Sequence, residues 1–237
     1  MKGLLIALQF LTRLPGPRMA VTGEEFARSM RWFPAVGLVV GGIVAAGAWA
    51  GAQVDPWIAA LVALLLWVAV TGALHLDGLG DVADAAGAAH KDRERMIAVL
   101  ADPHIGSFGV AVIGLQLIAK LVLLHALVER GAWQALLLIP LAARIGPLAW
   151  TLWLPPLHEG LGARFQGAVD ISHVALWAVV LAACAWFVPV MLATPVLVLL
   201  WGLWLRRTLG GISGDGHGAG IELVESGLLL VAAAVMA

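Results

Sequence analysis

The chain has 237 residues, of which 62% are hydrophobic and 12% charged, and its net charge is −1. A soluble domain carries about 25% charged residues, so this chain lacks the polar surface that a soluble protein needs and is predicted to be an integral membrane protein. The charge balance argues against a nucleic-acid-binding protein, which needs a strongly basic face. The single cysteine, Cys184, excludes a disulfide scaffold.

The N-terminal segment 1–15 begins with a short apolar run that ends at Thr12-Arg13-Leu14-Pro15. This run has the hydrophobicity of a signal peptide but lacks a small-residue cleavage pattern. We therefore expect segment 1–15 to be retained and to lie at the membrane interface.

The gaps between charged residues map the membrane spans, because about 20 apolar helical residues cross a bilayer. The predicted spans are Arg31 to Asp55, Asp55 to Asp77, about 105–128, about 132–154, and a last one from near Gly220 to the C-terminus. The uncharged run 171–205 would form a helix of about 52 Å, which is too long for one span. Pro189 and Pro195 indicate a helical hairpin there. The prediction is one all-α transmembrane bundle over 1–237, with six or seven spans.

Positively charged residues predict the orientation, because Lys and Arg favour cytoplasmic loops. With the hairpin in place, 11 of the 14 Lys and Arg residues fall on one side of the membrane. These are Lys2, Arg13, Arg18, Arg28, Arg31, Lys91, Arg93, Arg95, Arg164, Arg206 and Arg207. We expect a cytoplasmic N-terminus.

An Asp-rich cytoplasmic loop is predicted at 76–104. Asp77, Asp81 and Asp84 are spaced i, i+4 and i+7, which places three carboxylates on one face of a helix. Three like charges on one stripe favour a hard cation with oxygen ligands, and Mg²⁺ fits because it takes one or two carboxylates plus water and substrate phosphates. The alternative is a solvated acidic cap where a helix leaves the membrane.

A Gly-rich cytoplasmic loop is predicted at 206–220. Gly210, Gly211 and Gly214 leave the backbone open to a ligand, as in loops that hold phosphate. Arg207 can pair with phosphate oxygens, and Asp215 adds a carboxylate on the same predicted face as the Asp-rich loop. A flexible connector is the alternative interpretation of this segment.

Three further residues are candidates for substrate binding. Lys120 and Arg144 interrupt apolar spans, and intramembrane charges normally face the bundle interior and serve a substrate or a relay. Lys120 could instead snorkel to the interface, and Arg144 could pair with a structural partner. His104 precedes the third span, next to Asp102, which could equally be a helix N-cap.

Five runs of residues occur in an order that resembles one known family. The runs are Phe10-Leu11-Thr12-Arg13-Leu14-Pro15, Phe33-Pro34-Ala35-Val36-Gly37, Thr71-Gly72-Ala73-Leu74-His75-Leu76-Asp77-Gly78-Leu79-Gly80-Asp81, Asp102-Pro103-His104-Ile105-Gly106 and Arg207-Thr208-Leu209-Gly210-Gly211-Ile212-Ser213-Gly214-Asp215. Together they resemble the cobalamin synthase family, the adenosylcobinamide-GDP ribazoletransferases. The resemblance covers nearly the whole chain.

The resemblance implies an Mg²⁺-dependent enzyme of the bacterial inner membrane that joins α-ribazole, or its 5′-phosphate, to adenosylcobinamide-GDP and releases GMP. Asp77 and Asp81 are then expected to coordinate Mg²⁺, with Asp84 as a third ligand or as the catalytic base, and Asp215 completing the metal site. Arg207, Arg144 and Lys120 are expected to bind phosphate oxygens. Membrane lipid and other corrin-assembly enzymes are the expected partners.

The chain departs from the family pattern at two places. It has Pro103-His104 where the family commonly has Ser-Arg, and Gly216-His217 where the family commonly has a Thr-Leu pair. His104 would replace a phosphate-binding guanidinium only when protonated. A function of another class is a transporter, in which Asp77, Lys120 and Arg144 would form an ion pathway with charges facing each other near the midplane.

Overall fold

The computed structural model describes residues 1–89 and 93–235, which are almost entirely helical, without a named β-strand. Lys91, one of the predicted cytoplasmic charges, lies outside the described residues. Thirteen α-helices follow in chain order: α1 Lys2–Leu11, α2 Gly23–Ser29, α3 Phe33–Gly51, α4 Pro56–Thr71, α5 Leu74–Ala89, α6 Arg93–Leu100, α7 Ser107–Glu129, α8 Trp133–Ala143, α9 Gly146–Trp153, α10 Leu161–Arg164, α11 Ile171–Phe187, α12 Thr194–Thr208 and α13 Gly214–Val235.

The prediction of an all-α bundle with several spans is confirmed. Within the described residues, five helical segments are long and apolar enough to cross a membrane, and a sixth is obtained if α4 and α5 count as one bent span. The five are Gly23–Gly51, Ser107–Glu129, Trp133–Trp153, Pro189–Thr208 and Gly214–Val235. Helix α11 is apolar but has 17 residues. The cytoplasmic location of the N-terminus stays a prediction.

The predicted span from Asp55 to Asp77 consists of two helices with a sharp bend between them. The Asp55 side chain caps the N-terminus of α4, with Pro56 in its first turn, but α4 ends at Gly72, which adopts a left-handed conformation with φ of +61°. That conformation suits glycine and ends a helix. The chain turns by 84° into α5. As a result, α5 carries its aspartates away from the axis of α4.

The two predicted loops are also largely helical. Helices α5 and α6 account for most of the segment 76–104. In the segment 206–220, helix α12 extends to Thr208 and α13 begins at Gly214, so that only 209–213 connects them. The glycines of α13 are tolerated in a helix because neighbouring helices pack closely against them.

The predicted break in the uncharged run 171–205 is confirmed, and the antiparallel course of the two helices stays a prediction. Helix α11 ends at Phe187, a 3₁₀ turn covers Pro189–Ala193, and α12 begins at Thr194. Both prolines lie in the first turn of the helix that follows them, where the missing N–H has no helical partner to lose.

Small residues set the packing of the bundle. Gly37 and Gly41 of α3 lie against the backbone of α8, where an added Cβ would overlap with the carbonyl oxygens of Pro140 and Leu137. Such close contacts replace the hydrophobic driving force that is absent between helices in lipid. The N-terminal helix α1 also belongs to the bundle, because Ala7 and Leu11 are buried.

Candidate functional site

Helices α5 and α13 cross at very short distance, and this crossing builds the site. A Cβ on Gly78 of α5 would lie 2.9 Å from both the Cα and the carbonyl oxygen of Asp215. A Cβ on Gly218 of α13 would lie 3.3 Å from the Cα of His75. Because these two glycines have no side chains, the two helices can approach closely, and the aspartates of α5 lie next to Asp215.

Three carboxylates gather at this crossing, and we call Asp77, Asp81 and Asp215 the aspartate cluster. Asp77 and Asp215 line one cavity of about 80 Å³, which we call the site cavity. Asp81 is partly buried, and the negative charges of Asp215, Asp77 and Asp84 all act on its carboxylate. The structure thus joins residues that are more than 130 positions apart in the sequence.

Asp84, the third carboxylate on the predicted stripe, has partners of its own. One of its oxygens accepts a hydrogen bond from the Gly106 N–H at 2.7 Å, and the other accepts one from the Gly109 N–H at 3.0 Å. These amides belong to the start of α7, where N–H groups lack helical partners. Asp84 therefore holds the N-terminus of α7 against α5.

The fit of the site to Mg²⁺ follows from its donors. Within 1–89 and 93–235, no three His, Cys, Asp or Glu side chains lie close enough to hold a metal ion by themselves. Mg²⁺ is usually held by one or two carboxylates, with water and substrate phosphates as the other ligands. Asp77 and Asp215, which line one cavity, and Asp81 near them fit a metal that is shared with a phosphate.

The glycines that were predicted to bind phosphate lie in or next to the short connection between α12 and α13. Gly210 has a φ of +82°, and Gly211 is packed against the Pro155 backbone. Gly214 begins α13, whose first turn is capped by the Ser213 hydroxyl, the acceptor of the Gly216 N–H at 3.0 Å. The segment is thus an ordered connection that places the α13 N-terminus beside the aspartate cluster.

The two basic candidates near the predicted loops are exposed. Arg207 lies in the last turn of α12. His104 has 87% of its side chain exposed and contacts the Asp102 carboxylate at 2.7 Å. The His104 backbone N–H and its ring lower the pKa of Asp102, because both donate to the charged carboxylate. Asp102 is not the N-cap of α7, since that position belongs to Gly106.

Lys120 and Arg144 lie in a buried network of opposite charges, which we call the ion network. Lys120 Nζ lies 2.7 Å from Glu222 and 2.6 Å from Glu225. Arg144 Nη1 lies 2.8 Å from Glu225, and its Nη2 lies 3.5 Å from His75 Nδ1. The structure thus gives both cations carboxylate partners, and their predicted binding of phosphate stays a prediction.

Several residues of the site were missed from the sequence. Glu222 and Glu225 could have been found from charge balance, since two cations buried in apolar spans require two anions. The site cavity is also lined by aromatic and histidine side chains, which had no spacing signal. These are Phe10, Phe33, Phe165, His75 and His217.

Comparison with known proteins is consistent over the whole chain. The family model described as cobalamin-5-phosphate synthase matches residues 3–233. A protein of Novosphingobium aromaticivorans named adenosylcobinamide-GDP ribazoletransferase is 66% identical over 97% of this chain and 95% of its own length. Proteins with the same name from Laribacter hongkongensis and Thiobacillus denitrificans are 53% and 49% identical, over 98% and 100% of this chain and 96% and 97% of their own lengths.

No solved structure matches the chain. The match of the family model nevertheless extends from α1 to the last turns of α13 and includes every residue of the aspartate cluster and of the ion network. The chain therefore belongs to the cobalamin-5-phosphate synthase family.

Proposed function

We propose that the protein joins α-ribazole, or its 5′-phosphate, to adenosylcobinamide-GDP in the late assembly of the cobalamin nucleotide loop. A ribose hydroxyl oxygen forms a bond to the phosphorus that is attached to cobinamide. The bond from this phosphorus to the bridging oxygen breaks, and GMP leaves with that oxygen. The hydroxyl proton passes to a base. The names of the relatives supply the two substrates.

The aspartate cluster carries the proposal at the level of the structure. Phosphoryl transfer requires positioning and neutralisation of the charge on the transferred group. Asp77, Asp81 and Asp215 would hold Mg²⁺, which when bound supplies this neutralising charge. Asp77 and Asp215 also line the site cavity, so a substrate in the cavity meets two of the carboxylates directly.

Neighbouring groups of the chain orient the reaction. The N-terminus of α13 bears Asp215 in its first turn, and the positive end of a helix dipole favours an anionic substrate group there. Asp84 fixes the start of α7 through two backbone amides. We assign Asp84 to this positioning role, and the proton-accepting role to a carboxylate of the aspartate cluster. Arg207 is retained as a phosphate ligand at the end of α12.

The proposed location is the bacterial inner membrane, with the aspartate cluster on the cytoplasmic side. Its support is the distribution of Lys and Arg residues, which favour cytoplasmic loops. Association with other enzymes of corrin assembly is part of the proposal.

A transporter was the alternative from another class, and the ion network meets its expectation that charges face each other. However, a transport pathway needs room for water or an ion. The space beside Lys120 and Glu222, next to Trp67, has a volume of about 0 Å³. Both side chains are also satisfied by short contacts. This arrangement favours a structural network over a pathway.

The experiment uses the full chain in liposomes with adenosylcobinamide-GDP, α-ribazole and Mg²⁺, and measures GMP release. We expect one GMP for each corrin product, with loss of turnover after addition of EDTA and recovery after addition of excess Mg²⁺. Absence of GMP release with both α-ribazole and its 5′-phosphate would contradict the proposed function. Unchanged turnover in EDTA would contradict the proposed requirement for Mg²⁺.

A further inference from the structure

The site cavity has an aromatic wall that the transfer chemistry does not explain. Four of the six phenylalanines of the chain form one cluster, and three of them, Phe10, Phe33 and Phe165, line the cavity. The ring centroids of Phe10 and Phe33 are 5.9 Å apart, as are those of Phe33 and Phe165. They come from α1, from α3 and from the turn after α10, so three separate segments supply one apolar surface.

Two buried histidines in the same cavity each keep one ring nitrogen without a partner. His75 is 2% exposed and His217 is 5% exposed. Among the described residues, His75 Nε2 and His217 Nδ1 have no hydrogen-bond partner. A buried polar group without a partner is costly, on the order of 1–3 kcal/mol. Both nitrogens lie in residues that line the cavity, so a bound molecule could supply the missing partner.

The neighbouring Arg144 indicates which ring nitrogen of His75 carries the proton. Arg144 Nη2 lies 3.5 Å from His75 Nδ1, and a guanidinium only donates hydrogen bonds. His75 Nδ1 therefore faces a donor and is the acceptor, which leaves the proton of the neutral ring on Nε2. The cavity thus offers an N–H donor that suits an acceptor nitrogen of a ligand.

The cavity is small. Its volume of about 80 Å³ gives room for about five water molecules, each of which needs about 15 Å³ of such space. Phenylalanine walls favour a flat ring, because aromatic faces stack on one another. Asp77 and Asp215 line the same cavity, so a ring bound here lies close to the two carboxylates.

We propose that the site cavity binds the heteroaromatic base of the acceptor nucleoside, stacked among Phe10, Phe33 and Phe165, with His75 Nε2 donating a hydrogen bond to its ring nitrogen. This proposal rests on the proposed function and names the position of its acceptor. A benzimidazole nucleoside has one acceptor nitrogen on an otherwise apolar base, which matches a wall of phenylalanines and few polar atoms. Guanine, the base of the other substrate, carries several donors and acceptors that this wall would leave unpaired.

The test separates acceptor binding from turnover. The variants Phe165→Leu and Phe33→Leu are compared with Phe187→Leu, whose side chain is 80% exposed and lies outside the site. We expect the KM for α-ribazole to rise at least tenfold in the first two variants. The KM for adenosylcobinamide-GDP should stay within twofold, and kcat at saturating acceptor within about threefold. Thermal unfolding in the same liposomes checks that each variant is folded.

An unchanged KM for α-ribazole in both folded cavity variants would overturn the proposal, as would a rise in the KM for the donor alone. If these variants fail to fold, the wild-type chain still decides the question. The probes are then 5,6-dimethylbenzimidazole and guanosine, used as inhibitors.

We expect dimethylbenzimidazole to compete with α-ribazole and guanosine not to. Competition by guanosine alone would assign the cavity to the donor and overturn the proposal. Binding of radiolabelled dimethylbenzimidazole to wild type and Phe165→Leu is measured by equilibrium dialysis. This measurement does not need turnover, so failure of the proposed function remains distinguishable from failure of the base assignment.

Discussion

Two neighbouring regions in the interior of the protein differ in their charges: the ion network contains charges of both signs, and the aspartate cluster contains negative charges only. In the ion network, two cations and two carboxylates neutralise each other: Lys120 and Arg144 face Glu222 and Glu225. Lys120 Nζ also lies 4.4 Å from the centroid of the Trp67 ring. In the aspartate cluster, the neighbouring charges have one sign. The first region is complete by itself, whereas the second is the proposed site of a cation.

This contrast separates residues that stabilise the bundle from residues that serve the reaction. Charges buried in a bilayer are costly unless they are paired, so removal of one partner from the ion network should cost stability. Like charges repel, so removal of one carboxylate from the aspartate cluster should cost activity and leave the fold intact. His75 lies between the two regions, in contact with Arg144 and in the wall of the site cavity.

The largest expected effect is the loss of stability in Glu225→Gln. Glu225 is fully buried and accepts from both Lys120 and Arg144, so the variant leaves two cations with Glu222 alone. Breaking a buried ion pair costs about 3–5 kcal/mol. Thermal unfolding in detergent should show a clearly lower midpoint, whereas Glu129→Gln, at an exposed end of α7, should match the wild type. Equal midpoints for the two variants would contradict a structural network.

The next effect is the loss of activity in Asp77→Asn and in Asp215→Asn. Each variant removes a carboxylate from the site cavity, and we expect GMP release to fall about 100-fold, which corresponds to about 2.7 kcal/mol. The unfolding midpoint should stay equal or rise, because repulsion is relieved. Asp55→Asn is the matched control, since Asn caps a helix as well as Asp does. Near-normal turnover in both cluster variants would refute the metal assignment.

A smaller effect is expected where α5 and α13 touch. Gly78→Ala places a methyl group 2.9 Å from the Asp215 backbone, and overpacking of this kind costs about 1–3 kcal/mol. Turnover should fall as well, because the two halves of the aspartate cluster are forced apart. Gly114→Ala in α7 has no atom within 4 Å of the new methyl group and should be neutral or more stable by up to about 1 kcal/mol.

Asp84 gives the smallest effect and tests its assignment directly. Asp84→Ala removes the acceptor of two amides at the start of α7, and loss of a cap costs about 1 kcal/mol. Asp84→Asn keeps one acceptor oxygen and should retain turnover within tenfold. A loss in Asp84→Asn as large as that in Asp77→Asn would show that Asp84 is a metal ligand or the base.

The sequence predicts the features that depend on local pattern. The break in the uncharged run 171–205 follows from the length of the run and from Pro189 and Pro195, and the structure confirms that break. The i, i+4, i+7 spacing places Asp77, Asp81 and Asp84 on one side of a helix, and α5 is that helix. The corner at Gly72 was missed, because a single glycine between two apolar helical patterns gives no sign of the direction in which the chain will turn.

The sequence by itself determined that the chain is a helical membrane protein, that its few carboxylates matter, and which family pattern it follows, because hydrophobicity, spacing and motif order are local properties. Only the tertiary structure decided which of those carboxylates line the site cavity. In the folded chain, Asp84 accepts hydrogen bonds at the start of α7, and Asp215 lines the same cavity as Asp77. Lys120 and Arg144 form ion pairs with Glu222 and Glu225. The physical reason is that pairing depends on how closely helices distant in sequence approach, and here the glycines at the crossing of α5 and α13 set that distance.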